Sequence, residues 1–335
     1  MKRYQDIKDL IGVLRSSELS KQLAIKFDFR DYMIERYLRM FGKDETLEFL
    51  NSCSIPLSKS IRCNDLKVEC GRLVEAMRKK GFVLTKVKWI PHGYIIEKKP
   101  ARPSLGATIE YLMGYYYIQG LASMIPAYLL EPAETDFILD MAAAPGGKTT
   151  QIGQLMKNRG NILAIEKSKS RARALRENLR RMGIENVVVL RSDVEVVTKL
   201  GIQFSKILLD APCTAEGLIP IKPERRKSRS FDDILYLNKV QTRLIDIASS
   251  VLKEGGRLVY STCSIGVEEN EAVIEYAISK YNYKILNFTT FPSSKGIVEY
   301  GDVKFSDEIE KCMRFYPHKQ GTEGFFICVL EKEEK

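Results

Sequence analysis

The chain holds little of what builds a metal centre or a cross-linked framework. Among 335 residues there are two histidines, His92 and His318, and no C-x-x-C pair among the seven cysteines. No zinc-ligand spacing emerges, and no metal is expected. The odd cysteine count argues against a disulfide framework, which leaves the thiols to packing or reactivity. Long apolar runs are also missing, so no membrane span is expected. The opening residues MKRYQDIKDL are charged and lack the apolar core of a signal peptide, which makes a cytoplasmic protein the expectation. Two nucleotide fingerprints fail as well. The dinucleotide pattern Gly-x-Gly-x-x-Gly does not occur. A phosphate-binding loop would need glycine at 142, where Ala142 stands, although Gly147, Lys148 and Thr149 supply its second half.

What is present is an ordinary apolar content of 44% and a formal net charge of +10, from 53 basic and 43 acidic side chains. That length and composition suit one large domain or two smaller ones. The charge favours a polyanionic partner.

One stretch organises the rest: FILDMAAAPGGK, residues 137–148. An apolar strand ends at Asp140, small residues follow, and Gly146-Gly147-Lys148 leads into a helical pattern. Small residues let backbone approach a ligand, and the helix start offers unpaired N–H groups. Acidic residues follow the next two strand-like runs, Glu166 after NILAI and Asp193 after VVVLRS. With both nucleotide fingerprints set aside, this pattern reads as an S-adenosylmethionine site, with Glu166 placed to hold ribose hydroxyls.

Before this stretch, residues 1–52 read as helices, with Ile7, Leu10, Ile11 and Leu14 at helical spacing. A strand-helix-strand-strand order follows within about forty residues, as in a small α+β module. Arg62, Lys67, Arg78, Lys79, Lys80, Lys86 and Lys88 make it basic, which suits a nucleic-acid backbone. KKPARPS (98–104) reads as a linker, and the domain boundary is placed there, between 102 and 103. Tyr115, Tyr116 and Tyr117 are expected in a helix packed over a sheet rather than stacked on bases. From Asp136 onward strands and helices alternate, predicting a parallel, Rossmann-like α/β sheet with helices on both faces. GFFICVLE is expected to close it as an antiparallel edge after an irregular stretch, 290–322.

Ligands of such sheets bind beyond the carboxyl ends of the strands. Two strand ends there carry thiols: Asp210-Ala211-Pro212-Cys213 and Ser261-Thr262-Cys263-Ser264. A single buried cysteine is usually an inert small hydrophobe, but two at one sheet edge are expected to line one pocket. Methylation of base amino groups commonly uses Asp/Asn-Pro-Pro-Tyr/Phe, and here Cys213 replaces the stacking ring. Carbon 5 of cytosine needs activation by a thiolate adding to carbon 6. A second group must then help remove the carbon 5 proton and release the thiol. Two cysteines match these two tasks.

These motifs resemble the Sun (Fmu) family of RNA 5-methylcytosine methyltransferases. The likeness runs through AAAPGGKT (142–149), Glu166, Asp193, DAPCTAEG (210–217), YSTCS (260–264) and EEN (268–270). It extends to IRCNDLK (61–67), residues 104–130 and RFYPHKQGTEGFF (314–326). The resemblance implies that Cys263 is the nucleophile and Cys213 assists product release, with Cys213 as sole nucleophile the alternative. It gives the methionine end of S-adenosyl-L-methionine to Ala142, Ala143, Ala144, Pro145, Gly146, Gly147 and Lys148. Glu166 would hold the ribose, Asp193 the adenine, Arg171 a further cofactor contact, and Asp210 the methionine amino group or the base. Lys148 would stand near the thiols as a cation able to lower a thiol pKa.

The implied architecture is a class I methyltransferase domain (103–335) preceded by a helical and RRM-like RNA-binding domain (1–102). The implied partner is RNA, tRNA ahead of rRNA, with the protein acting as a monomer. A non-catalytic RNA-binding factor on the same fold is the competing class. PERRKSRS (223–230) is a candidate phosphate clamp. The sequence departs from the family pattern at Ala142 (usually cysteine), Glu166 (commonly aspartate) and Thr214-Ala215-Glu216-Gly217 (commoner Ser-Gly-x-Gly).

Overall fold

Apolar runs too short for helices, each followed by a helical period, produce the expected sheet. The computed structural model describes residues 1–11 and 15–334, so Leu14 lies outside the described residues. The chain divides into two compact units. One holds Ser58–Asp210 and Ser250–Val259, the other Met1–Leu57, Ala211–Ser249 and Tyr260–Lys335.

Strands β1 (Phe137–Asp140), β2 (Asn161–Ile165), β3 (Val187–Leu190) and β4 (Phe204–Asp210) of the first of these, with β5 (Leu252–Thr262), which belongs to it as far as Val259, lie in the order β5-β4-β1-β2-β3. β1 is parallel to β2 and β4, and β2 is parallel to β3. Ile138, Leu139, Ala164, Ile207 and Leu208 are fully buried, as expected of strands covered on both faces. Helix α1 (Gly147–Leu155) leaves β1, and α2 (Lys169–Met182) leaves β2, capped by the Ser168 hydroxyl and by Gly183 at φ 70°.

The same unit contains the α+β module, an antiparallel sheet in the order Val83–Lys86, Gly93–Lys98, Ser60–Cys63, Tyr116–Ile118 beside helix Cys70–Lys79. Its fourth strand corrects the sequence reading, which placed the tyrosines in a helix. A run of aromatics suits a pleated surface, and Tyr116 pairs with Cys63. Tyr116 and Tyr117 are core residues, as expected. A disulfide joins Cys63 to Cys70, against the expectation of free thiols. Seven positions apart, a strand end and a helix start come to a Cα separation of 6.0 Å, which a count of cysteines cannot reveal.

In the other unit, helices Ile7–Ile11, Glu18–Phe27 and Asp31–Ser52 bear out the helical reading. Met33, Ile34, Tyr37, Phe49 and Leu50 pack with Ile219, Ile265 and Tyr316. The stretch 290–322 is not irregular throughout. Ser294–Lys295 pairs with Met313–Phe315, and Val303–Lys304 pairs with Lys2–Arg3 and Glu299–Tyr300. Strands of two or three residues carry too little period to read. Phe325–Lys332 is antiparallel to Tyr283–Ile285 and Met313–Phe315, so it is antiparallel as expected but not an edge.

Candidate active site

The glycine turn is shaped by backbone needs. Gly146 sits at φ 105°, a left-handed conformation, and a Cβ there would lie 2.9 Å from Leu175. The turn is held from behind by α2. Arg171 donates to the Ala144 carbonyl at 2.6 Å and Asn178 to that of Pro145 at 2.9 Å. The Ala143 N–H donates to the Ile165 carbonyl. The first N–H groups of α1 have no partner within the helix and favour a negative group.

Carboxylates follow the ends of the adjacent strands. Glu166, just past β2, is buried, accepts from the Ser168 N–H at 2.8 Å and stands 3.5 Å from Arg171. Asp193, past β3, caps the turn Val194–Lys199 and pairs with Lys167 at 3.0 Å. Asp210 ends β4 and accepts from Lys148 at 2.7 Å. The turn, Glu166, Arg171, Asp193 and the Lys148–Asp210 pair thus share one sheet edge.

Two residues here hold roles the sequence reading does not give them. That reading makes Asp140 only a strand end and places Arg62 on the basic nucleic-acid surface, from which its complete burial removes it. Asp140, at the end of β1, is fully buried; its Oδ2 accepts from Thr149 at 2.7 Å and its Oδ1 has no partner. Burial first, and the Asp210 charge with it, push its carboxyl up to about 7, with Thr149 and Lys148 opposing. An orphaned buried acceptor beside helix-start donors and a ribose-type carboxylate fits a ligand carrying both an ammonium and a carboxylate, as S-adenosylmethionine does.

Arg62 is the second. Its fully buried guanidinium donates to Gln154 at 3.0 Å, Gln119 at 2.6 Å, the Gly147 carbonyl at 2.7 Å and Thr150 at 2.8 Å. Burial among these neutral acceptors brings its pKa down to about 10. It ties the α+β module to the first turn of α1. The signal was an arginine inside an otherwise apolar strand, IRC.

The other unit holds the thiols. Cys213 Sγ and Cys263 Sγ are 3.2 Å apart and half-buried. The hydrogen bond it shares with Cys263 first, then burial, push the Cys213 thiol well up, which favours its protonated form. Their loops are tied together. Ala211 N–H donates to the Ser261 carbonyl at 2.8 Å and Gly217 N–H to that of Cys263 at 2.9 Å. Gly217 is required by this approach, because a Cβ would lie 1.9 Å from the Gly324 carbonyl oxygen. Ala215 adopts φ 62°, where the commoner family pattern has glycine, and carries strain of order 1 kcal/mol.

A buried charge cluster spans the same loops: Arg36 donates to Glu216 at 2.7 Å and to both oxygens of Glu268, at 2.9 and 2.6 Å. Burial, despite Arg36, raises the Glu216 carboxyl to about 7. The segment PERRKSRS is only partly available to an external anion. Its Arg226 donates to the Cys53 and Phe27 carbonyls.

A family model described as 16S rRNA methyltransferase RsmB/F matches residues 127–331. The chain belongs to this family. Residues 30–121 match a second family description, the N-terminal domain of 16S rRNA methyltransferase RsmF. The family fold is a Rossmann-like catalytic domain of mixed sheet preceded by an N-terminal domain. A solved methyltransferase homolog protein from Pyrococcus horikoshii shares 35% identity and a TM-score of 0.85, over 94% of this chain and 99% of that one. NSun6 from the same organism, solved with SFG, shares 31% identity at a TM-score of 0.81, over 90% and 98%.

Among curated relatives, the Pyrococcus horikoshii tRNA (cytosine(72)-C(5))-methyltransferase is 45% identical over 69% of this chain and 56% of its own length. The human 28S rRNA (cytosine(4447)-C(5))-methyltransferase is 34% identical over 98% and 43%. The chain spans about half the length of the curated relatives it matches. Among the described residues, no helix is long and apolar enough to cross a membrane.

Proposed function

We propose that this chain is an S-adenosylmethionine-dependent RNA (cytosine-5) methyltransferase that forms a covalent adduct at carbon 6. The observation that carries the reading is the 3.2 Å separation of two half-buried sulfurs, a spacing that a pure RNA binder does not need. The bound cofactor supplies an electrophilic methyl group. Cys263 as thiolate adds to carbon 6, and carbon 5 becomes nucleophilic. Asp210, paired with Lys148, takes the methionine amino group or the base. After methylation, Cys213, having passed its own proton to solvent, takes the carbon 5 proton as the bond from carbon 6 to Cys263 breaks and Cys263 leaves as thiolate. Ala142, Ala143, Ala144, Pro145, Gly146, Gly147 and Lys148 hold the methionine end of the cofactor. Glu166 holds the ribose, Asp193 the adenine, and Arg171 keeps the turn in place.

RNA contact falls to the basic, RRM-like part of residues 1–102, and catalysis to 103–335. The protein acts as a monomer in the cytoplasm. Its substrate is tRNA ahead of rRNA, a reading supported by a relative 45% identical that is named for a tRNA cytosine. The alternative substrate, rRNA, is supported by the family description and by the 28S relative. Incubation with tritiated S-adenosylmethionine and separate pools of tRNA and rRNA tests the reading. Label in 5-methylcytosine is expected, strongest in tRNA. Absence of label from the pyrimidines of both pools rejects the enzyme.

A further inference from the structure

Glu269 is completely buried, and the reaction above gives it no step. Its carboxylate accepts four hydrogen bonds, all from neutral donors. Oε1 takes the Thr214 N–H at 2.9 Å and Gln241 at 3.1 Å, while Oε2 takes the hydroxyls of Thr214 and Ser264, each at 2.6 Å. Thr214 follows Cys213 directly and Ser264 follows Cys263, so one carboxylate bridges the residue after each sulfur. A charge in such a place is costly unless every lone pair is used, and a well-packed apolar pair would join two loops more cheaply. The geometry is also lopsided. Two of the four donors belong to Thr214, on the Cys213 loop, and one to Ser264, on the other loop.

We propose that Glu269 is a positioning residue: through Thr214 and Ser264 it fixes the separation of the two sulfurs, and its charge leaves their shared proton on Cys213. The assignment of the nucleophile to Cys263 rests on the function proposed above. Two sulfurs at hydrogen-bond distance hold one proton between them when one is a thiolate, and a nearby anion penalises a second negative charge most where it is closest. The Glu269 charge acts in that direction on Cys213. The other carboxylates on these loops, Glu216 and Glu268, are paired with Arg36, whereas Glu269 takes only neutral donors.

The full chain, without RNA or cofactor, is treated with iodoacetamide at mildly alkaline pH, and alkylation of each cysteine is quantified by mass spectrometry. In Glu269→Gln the ratio of Cys213 to Cys263 modification is expected to rise about tenfold, the bias of one unit of proton affinity. Glu269→Asp, which keeps the charge, is expected to stay near the wild-type ratio. An unchanged ratio in Glu269→Gln overturns the charge assignment. Spacing is read with diamide, which takes one hydrogen from each thiol as their S–S bond forms. Thr214→Val is expected to slow cross-linking of Cys213 to Cys263 roughly tenfold, because proximity sets such rates, and an unchanged rate overturns the positioning role. Neither readout uses methyl transfer, so an inactive wild type would sink the proposed function and leave these results standing.

Discussion

Cys213 Sγ lies 3.2 Å from Cys263 Sγ, near enough for one thiol to hold a proton against the other sulfur. With the roles proposed above, removing either one is expected to give opposite phenotypes. Cys213→Ala is expected to trap the RNA as a slowly migrating covalent adduct on a denaturing gel. Turnover should fall by about a hundredfold or more, the usual weight of a proton-transfer partner. Cys263→Ala is expected to give neither adduct nor product. An adduct in Cys263→Ala would move the nucleophile to Cys213.

Arg62 spends its donors on five acceptors, two of them in the first turn of α1. Arg62→Met leaves buried amide and carbonyl oxygens unsatisfied and is expected to cost about 3 kcal/mol of stability, measured by urea denaturation. Arg62→Lys places one ammonium where a planar fork was and is not expected to recover the loss. Cofactor affinity should weaken in both, because the Gly147 carbonyl loses its anchor. Unchanged urea midpoints would show that the contacts with the turn are incidental.

Asp140 yields a pH dependence with a definite sign. Its carboxyl stands at about 7 when folded, against 3.8 ordinarily. The folded chain therefore holds the extra proton between these values, and stability from this group falls as pH rises from the lower to the higher. Asp140→Asn mimics the neutral form throughout. It is expected to raise Tm above pH 7 by roughly a few degrees and to leave Tm near pH 4 unchanged. Cofactor affinity should move the other way, weakening in the variant because an amide accepts an ammonium poorly. Parallel melting curves for the two proteins across this range would remove Asp140 as a buried titrating group.

Much of this was legible before any coordinates. The strands around the turn announce themselves by apolar runs that end in Asp140, Glu166 and Asp210, and the two thiols by their place after strands. Tyr116–Ile118 and the short strands between 290 and 322 were not legible, because aromatic runs fit helix and strand alike and two-residue ladders have no period. The Cys63–Cys70 bond depends on a three-dimensional approach that spacing does not encode. Arg36 was hidden for a different reason. Within a helix of mixed polarity nothing marks one arginine as buried, and its partners lie 180 and 232 positions away.

That placement of Arg36 bears on how the molecule can be cut. A fragment drawn to the catalytic match, residues 127–331, keeps both sulfurs yet omits the guanidinium that pairs with Glu216 and Glu268. Two carboxylates would be stranded in the interior without a counterion, and the protein would relieve them by taking up protons or by letting water in. The loops that carry the two thiols therefore depend on a charge upstream of that segment, in helix Asp31–Ser52.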